Sequence, residues 1–378
     1  MTWRIPLADV DFGPEELQAV TEVLQSGWLS MGAITQQFEQ EFAQYVNTSH
    51  AIAVTNATAA LHLACLTVGL GPGDEVIVPS LTFVASVNAI RYTGATPVFA
   101  DIGGEHFLNI TPDTIRPCLT SKTKAILVVH YAGYACDMPA IKALAQANNL
   151  TIIEDAAHAI GSTLDGRMLG TWGDIGCYSF FSNKNMTTGE GGMLVTGNDI
   201  YASRLRIMRS HGMTSLSWDR HQGHAWSYDV VELGYNYRID EMRAALGRVQ
   251  LTRLEQNNNR RKELTRLYRE LMGELVPQVI VPFEQAPGKS ACHILPAILP
   301  KGMDRIQFME KMKGSGIQTS IHYPPIHQFR IYQDKKYSPA SLEMTEEIAS
   351  REVTLPLYPG MSDEDVKTVV EAVRENLG

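Results

Sequence analysis

The amino-acid sequence predicts an α/β fold built around a mostly parallel β-sheet. From Ala51 to about Thr196, short β-rich runs alternate with stretches of helical spacing, which is typical of strand–helix repeats. Several of these runs are continuously apolar, as expected for strands covered on both faces. The chain has 378 residues, 44% of them hydrophobic and 19% charged, which is sufficient for a large domain and a smaller one.

Seven segments of this region are predicted strands. They are residues 51–55, 75–79, 97–100, 125–130, 151–154, 176–181 and 193–196. Between them, residues 58–68 are apolar at helical spacing, and Asp137 can cap a helix that runs through Ile141 and Leu144. Upstream, Pro14 suits the first turn of a helix that Gly27 could end.

The C-terminal part has a different pattern. Residues 239–275 predict a long helical stretch that is broken near residues 257–259. A strand-like run at 291–299, a helix at 304–313 and an extended segment at 318–323 follow. The last helix opens at Ser362, with Asp365 three positions later as in a capping box. We therefore expect a large α/β domain over residues 1–250 and a smaller α+β domain over residues 251–378.

Charge and cysteine content exclude several classes of protein. The net charge of −9 and the pI near 5.7 argue against a broad basic surface for nucleic acid or anionic lipid. No run of 18 apolar residues suggests a membrane span, and no export signal is visible at the N-terminus. The five cysteines are never spaced C-x-x-C, so we expect neither disulfides nor a metal site, and a cytoplasmic location.

Two strand-to-helix turns carry candidate binding residues. After the first strand, Asn56, Ala57 and Thr58 open a helix whose unpaired N–H groups could receive a phosphate. The alternative is an ordinary helix capped by Asn56. After the fifth strand, Asp155 lies where α/β sheets place ligands, and His158 follows it by three residues. This carboxylate could pair with a protonated ring nitrogen, or it could cap the next helix.

A third segment, residues 177–193, contains Lys184 between an apolar strand and a glycine-rich stretch. A lysine is usually a solvated surface charge. The neighbours of Lys184 are Ser, Asn, Thr and Gly, so its amine could have a lowered pKa and attack a carbonyl group. Ser179 and Ser182 could donate hydrogen bonds to a phosphate.

The chain resembles the DegT/DnrJ/EryC1/StrS aminotransferase family in four segments, over essentially its whole length. They are Glu154-Asp-Ala-Ala-His, Ser179-Phe-Phe-Ser-Asn-Lys-Asn-Met-Thr-Thr-Gly-Glu-Gly-Gly, Gly234-Tyr-Asn-Tyr-Arg and Leu355-Pro-Leu-Tyr-Pro-Gly. The resemblance implies a fold-type I enzyme with a seven-stranded sheet, working as a homodimer with shared active sites. Its cofactor would be pyridoxal phosphate (PLP), alternating with pyridoxamine phosphate (PMP). It would move an amino group, usually from glutamate, to a keto group on a nucleotide-linked sugar.

The same resemblance implies roles for individual residues. Lys184 matches the Schiff-base lysine of the family and Asp155 the partner of the pyridine nitrogen. His158, which is glutamine in many relatives, occupies the position that approaches the phenolic oxygen. The remaining matches are phosphate contacts (Ala57, Thr58 and Ser179 within one subunit, Asn236 from the other), an aromatic stacked on the ring (Phe83) and, more weakly, residues near the substrate (His322 and Tyr323).

The sequence also contains features that suggest other functions. Gly69-Leu-Gly-Pro-Gly superficially resembles a dinucleotide fingerprint, but it follows a helix and contains a proline, whereas the fingerprint follows a strand. Related sugar dehydratases have histidine in place of the lysine, so Lys184 argues against that activity. Two alternatives stay open: a member of the same family that aminates a cyclic keto-polyol or makes an aromatic amino acid, and a non-catalytic sugar-binding regulator. Trp218 and Trp226, in a segment that selects the substrate in the family, could stack on a base or sugar or serve packing.

Overall fold

The structure is a computed structural model that describes residues 3–214, 227–338 and 340–377; Trp218 and Trp226 lie outside these ranges. Its centre is a seven-stranded sheet with the order β1-β9-β8-β5-β4-β2-β3. The strands are β1 (His50–Val54), β2 (Glu75–Pro79), β3 (Thr96–Ala100), β4 (Thr123–Val129), β5 (Thr151–Asp155), β8 (Ile175–Ser179) and β9 (Gly192–Thr196). Strand β9 runs antiparallel to β1 and β8, and the other pairs of neighbours are parallel. The predicted seven-stranded, mostly parallel sheet is confirmed.

Helices precede, separate and follow these strands, and two further strand pairs lie outside the sheet. The helices are α1 (Pro14–Ser26), α2 (Ala33–Val46), α3 (Ala57–Thr67), α4 (Val84–Tyr92), α5 (Pro112–Ile115), α6 (Met138–Ala147), α7 (Asp199–Arg209), α8 (Glu241–Leu275), α9 (Arg305–Gly314), α10 (Glu343–Arg351) and α11 (Asp363–Asn376). The short hairpin β6 (Thr163–Leu164) and β7 (Arg167–Met168) stands apart from the antiparallel pair β10 (Leu295–Ile298) and β11 (Glu352–Leu355).

The continuous apolar runs arise because both faces of the sheet are covered. In β4, Ile126 and Val128 pack into a core shared with α2 and α6, whereas Ala125 and Leu127 pack into a core shared with α3, α4 and α7. Successive side chains of a strand point to opposite faces, so the positions of β4 after the exposed Lys124 are all buried. A third core joins β10, β11 and α11 to loops at the edge of the main sheet.

Helix α8 differs from the sequence prediction. It is continuous over 35 residues, so the predicted break near residues 257–259 is wrong. Asn258 is fully buried, and its side-chain Nδ2 donates to the carbonyl of Ile160 at 3.0 Å. The side chain of this asparagine thus makes an inward hydrogen bond, and the helix continues through it. Position 250 lies inside α8, and the division into residues 1–250 and 251–378 stays a prediction.

The predicted ends of several helices match the structure. Gly27 follows α1 in the left-handed conformation with φ of 71°, Asp304 caps α9, and Ser362 forms the capping box of α11 with Asp365. Gly69 also lies in a left-handed turn just after α3, as expected for a helix end and not for a dinucleotide fingerprint. Among the described helices, none is both long and apolar enough to cross a lipid bilayer.

Candidate active site

A cavity of about 470 Å³ opens where the parallel strands reach their carboxyl ends, the edge at which α/β sheets place ligands. It is lined by most of the residues predicted from the sequence: Ala57, Thr58, Phe83, Asp155, His158, Ser179, Lys184, His322 and Tyr323. Asn236 is the exception, because it is exposed and its backbone bridges Ser210 outside this cavity. Ser182 lies elsewhere as well, with its hydroxyl donating to the carbonyl of Gly189 at 3.2 Å.

The N-terminus of α3 forms one wall of the cavity. Asn56 caps the helix by accepting from the N–H of Ala59 at 2.8 Å, and the preceding N–H groups of Ala57 and Thr58 belong to the first turn, which has no intrahelical acceptor. Strand β9 approaches closely here, because a Cβ on Gly192 would lie 2.7 Å from the nitrogen of Ala57. These amides, with the hydroxyls of Thr58 and Ser179, could receive an anion.

Asp155 supplies a buried carboxylate. It is the last residue of β5 and is 6% exposed. Its Oδ2 accepts from the hydroxyl of Ser86 at 2.7 Å, and its Oδ1 accepts from the N–H of Ala157 at 3.1 Å. Burial raises the pKa of Asp155, whereas these two hydrogen bonds and the charge of Lys184 oppose the rise. The sequence analysis missed Ser86, since nothing local indicates that this serine of α4 meets β5.

Lys184 brings an amine into the same cavity. Burial lowers its pKa to about 8, and the charge of Asp155 acts in the opposite direction. A larger fraction of this amine is therefore unprotonated at neutral pH than for a solvated lysine, as a nucleophile requires. Its Nζ lies 3.4 Å from Nε2 of His293, a second residue that the sequence analysis missed.

His158 is held by hydrogen bonds at both ring nitrogens. Its Nδ1 accepts from the N–H of Ala132 at 3.2 Å, and its Nε2 lies 3.0 Å from the hydroxyl of Tyr323. Burial and the charge of Lys184 lower its pKa well below the usual value. A neutral ring that accepts at Nδ1 carries its proton on Nε2, so His158 donates to Tyr323. The Tyr323 hydroxyl proton then remains available to another acceptor.

His322 is linked to a buried carboxylate. Its Nδ1 lies 2.7 Å from the hydroxyl of Thr354, which donates to Glu352 at 2.6 Å. The backbone N–H of His322 donates to the other oxygen of Glu352 at 2.8 Å. Burial, with the charge of Lys184, lowers the pKa of His322 to about 4, so this ring is neutral at neutral pH. Burial also raises the pKa of Glu352 to about 7, against the two hydrogen bonds.

The donor set matches the chemistry of PLP, which combines a phosphate, a flat ring with a basic nitrogen and an aldehyde. The helix terminus suits the phosphate, the carboxylate of Asp155 suits a protonated ring nitrogen, and the amine of Lys184 suits the aldehyde. Phe83 leaves an aromatic side chain 55% exposed beside this space. The buried Oδ1 of Asn183, also on the cavity wall, has no hydrogen-bond partner among the described residues. Within the described part of the chain, no group of His, Cys, Asp or Glu side chains is arranged to hold a metal ion.

Comparisons with known proteins agree with this arrangement. The model of the DegT/DnrJ/EryC1/StrS aminotransferase family matches residues 10–374. The spore coat polysaccharide biosynthesis protein SpsC of Bacillus subtilis (strain 168) is 43% identical, over 99% of this chain and 96% of that protein. The aminotransferase TlmJ from Streptoalloteichus hindustanus has a TM-score of 0.91 and 34% identity, with 99% of this chain and 98% of that chain covered.

A further structure ties the fold to a cofactor in a relative. Spr1654 from Streptococcus pneumoniae, 29% identical, is known in a PMP form with a TM-score of 0.91 and a PLP form with a TM-score of 0.90. The match covers 99% of this chain and 99% and 98% of those two chains, respectively. The fold-type I architecture and the enzyme class expected from the sequence are confirmed. This chain belongs to the DegT/DnrJ/EryC1/StrS aminotransferase family.

Proposed function

We propose that this enzyme uses PLP to move an amino group from glutamate to a keto group on a nucleotide-linked sugar. The observation that carries the proposal is the meeting of the Asp155 carboxylate and the low-pKa amine of Lys184 in one cavity. Membership in the aminotransferase family supports amino transfer. The role of SpsC in spore coat polysaccharide biosynthesis supports a sugar as the acceptor.

Each wall of the cavity has one task in this proposal. When bound, PLP supplies an electron-withdrawing ring that stabilises charge at the α-carbon of the amino donor. Asp155 holds a proton on the ring nitrogen. The first-turn amides of Ala57 and Thr58, with the hydroxyl of Ser179, bind the phosphate, and Phe83 covers one face of the ring.

Lys184 does two things in succession. Its amine would hold the cofactor, and once an amino donor is bound, the free Nζ would take the proton from the α-carbon of the donor and serve as the group that gives it back. Positioned proton transfer of this kind contributes about 10²- to 10⁴-fold to a rate. The donated amino group would stay on the cofactor between the two half-reactions, and the keto product of the donor would leave before the keto acceptor binds, so the kinetics would be ping-pong. His322 and Tyr323 border the space where the second substrate enters.

The enzyme is proposed to be a homodimer with shared active sites. Asn236 is exposed outside the cavity of its own chain, which suits a residue that contacts the phosphate of the partner subunit. The nearby segment exposes apolar side chains, with Val231 at 55% and Leu233 at 80%, and such side chains are covered in stable oligomers. The five cysteines are buried free thiols, which supports the cytoplasm as the location.

The two half-reactions test the proposal separately. Glutamate alone should release one equivalent of 2-oxoglutarate per PLP-loaded subunit and leave the PMP form. A panel of nucleotide-linked keto sugars should then restore the PLP form, with an amino sugar identified by mass and NMR. The Lys184→Ala variant should do neither, whereas Lys301→Ala, which alters an exposed lysine paired with Glu347, should behave like the wild type.

The same assay separates the alternatives. An enzyme that releases 2-oxoglutarate and aminates only cyclic keto-polyols would replace the sugar-nucleotide assignment and keep the mechanism. A protein that binds PLP and never reaches the PMP form with any amino acid would favour the sugar-binding regulator.

A further inference from the structure

His293 contacts Lys184 from outside the set of residues assigned to the site so far. It lies just before β10, is 3% exposed, and places Nε2 3.4 Å from Nζ of Lys184. Its other ring nitrogen, Nδ1, lies 2.8 Å from Oδ1 of Asn185, the residue that follows Lys184. The His293 ring thus lies between the amine of Lys184 and the side-chain amide of Asn185. The groups that face its two nitrogens decide which of them carries the proton.

Two backbone carbonyls fix the orientation of the side-chain amides of Asn185 and Asn258, which lie behind the His293 ring. Asn185 approaches the carbonyl of Ala291 at 2.9 Å, and Asn258 approaches the carbonyl of Ile160 at 3.0 Å. A carbonyl oxygen only accepts, so both contacts must be made by side-chain NH₂ groups. The NH₂ group of Asn185 also donates to Oδ1 of Asn258 at 2.7 Å. Oδ1 of Asn185, an acceptor, therefore faces His293.

This chain of hydrogen bonds sets the tautomer of His293. Because Oδ1 of Asn185 only accepts, Nδ1 of His293 must carry a proton and donate it. In the neutral ring, Nε2 then has a lone pair and no proton, and this lone pair is on the nitrogen nearest Lys184. The ring has no second arrangement that satisfies both Asn185 and the two carbonyls.

The surroundings keep His293 neutral. Burial is the main cause that lowers its pKa well below the usual value, and the positive charge of Lys184 adds to it, as do contributions from His158, Arg261 and His322. The His158 ring lies 4.4 Å away, centroid to centroid. The Arg261 guanidinium donates to the carbonyl of His293 at 3.1 Å.

We propose that His293 is a positioning residue that presents a fixed lone pair to Lys184 and so directs the amine during proton transfer. This inference rests on the proposed function, in which Lys184 is the reactive amine. A protonated Lys184 donates one of its N–H bonds to Nε2 and directs the other two elsewhere. Once deprotonated, the amine still donates one N–H to Nε2, so its own lone pair is directed away from His293.

The test is the pH dependence of acetylation of Lys184 in cofactor-free protein, measured with trace acetic anhydride and read by peptide mass spectrometry. Only the unprotonated amine reacts, so the midpoint reports the Lys184 pKa, and the exposed Lys301 serves as the internal reference. His293→Asn and His293→Gln form a matched pair. The side chain of asparagine reaches only to the position that Nδ1 of His293 occupies. The longer side chain of glutamine can place an oxygen near the position of Nε2.

The lone pair stabilises the ammonium form, so its removal should lower the Lys184 midpoint. We expect a fall of about one pH unit in His293→Asn, the order of magnitude of one hydrogen bond to a charged group. His293→Gln should stay within a few tenths of a unit of the wild type. Equal midpoints in all three proteins, or equal shifts in both variants, would overturn the inference.

The tautomer of His293 and the attachment of PLP to Lys184 can each be measured directly. In wild-type protein labelled with ¹⁵N-histidine, long-range ¹H–¹⁵N correlations should show His293 protonated on Nδ1, and protonation on Nε2 would overturn the inference without any variant. Reductive labelling of PLP-loaded variants checks the premise. If PLP labels Lys184 while the acetylation midpoint of Lys184 is unchanged in the variants, the role of His293 is wrong and the proposed function stands. If PLP does not label Lys184 in the wild-type protein, both the role of His293 and the proposed function are wrong.

Discussion

The hydroxyl of Ser86 donates to Oδ2 of Asp155 at 2.7 Å, joining the first turn of α4 to the last residue of β5. Both residues are buried. The bond stabilises the charged form of a carboxylate whose burial favours protonation. Ser86 therefore supports the residue proposed to hold the proton on the cofactor ring.

Replacing Ser86 with alanine should weaken catalysis without removing it. A hydrogen bond to a charged group contributes about 1.5–3 kcal/mol, so we expect kcat/KM to fall about 10-fold or more. Steady-state kinetics measure the effect, and Ser350→Ala is the control, since Ser350 is exposed and its hydroxyl donates to the helix carbonyl of Glu347. Equal kinetics for the two variants would contradict this support of Asp155.

Replacing Gly192 with alanine should disturb the phosphate-binding wall. The new Cβ would meet the backbone of Asn56 and Ala57 at 2.6 and 2.7 Å, so α3 or β9 must move, at a cost of about 1–3 kcal/mol. We expect a lower melting temperature and PLP affinity reduced about 10-fold. Gly197→Ala is the matched control at the other end of β9, where a Cβ would have no neighbour within 4 Å. Unchanged PLP affinity in Gly192→Ala would place the phosphate elsewhere.

Tyr323→Phe should leave the Nε2–H of His158 without an acceptor. An unpaired buried donor costs about 1–3 kcal/mol, so the melting temperature should fall. His158→Phe in the same background should then cost less than it does alone. A double-mutant cycle based on urea unfolding measures this coupling. Additive effects of the two substitutions would show that the 3.0 Å contact contributes nothing.

Glu352 should make the protein less stable as the pH rises. Its pKa is about 7 in the fold against 4.5 for the ordinary group, so the folded state retains a proton that the unfolded chain loses between these values. The contribution of Glu352 to the free energy of unfolding therefore falls by about 3 kcal/mol between pH 4.5 and pH 7 and stays level above that range. The difference in unfolding free energy between wild type and Glu352→Gln should follow this curve, and a difference independent of pH would contradict the raised pKa.

The strands and helix ends were predictable because their signals are local. All seven strands of the main sheet were located from short β-rich runs, and several of these runs are continuously apolar because both faces of the strand are covered by helices. The cap at Asn56 and the capping box at Ser362 also follow from residues a few positions apart.

Features that depend on distant contacts were not predictable. Ser86 lies 69 positions from Asp155, and His293 lies 109 positions from Lys184, and no local pattern links either pair. The false break in α8 has the same origin, because Asn258 looks like a helix breaker until its partners at Ile160 and Asn185 are known. Buried polar side chains can be interpreted only with their partners.

Lys184 is proposed to carry the cofactor, and the roles proposed for the other residues of the site depend on it. The direct test is to reduce the PLP-loaded protein with borohydride, digest it and locate the modified peptide by mass spectrometry. We predict one labelled residue, Lys184, in the peptide that contains Ser182-Asn-Lys-Asn-Met. A label on a different lysine, or no label on any, would contradict the account.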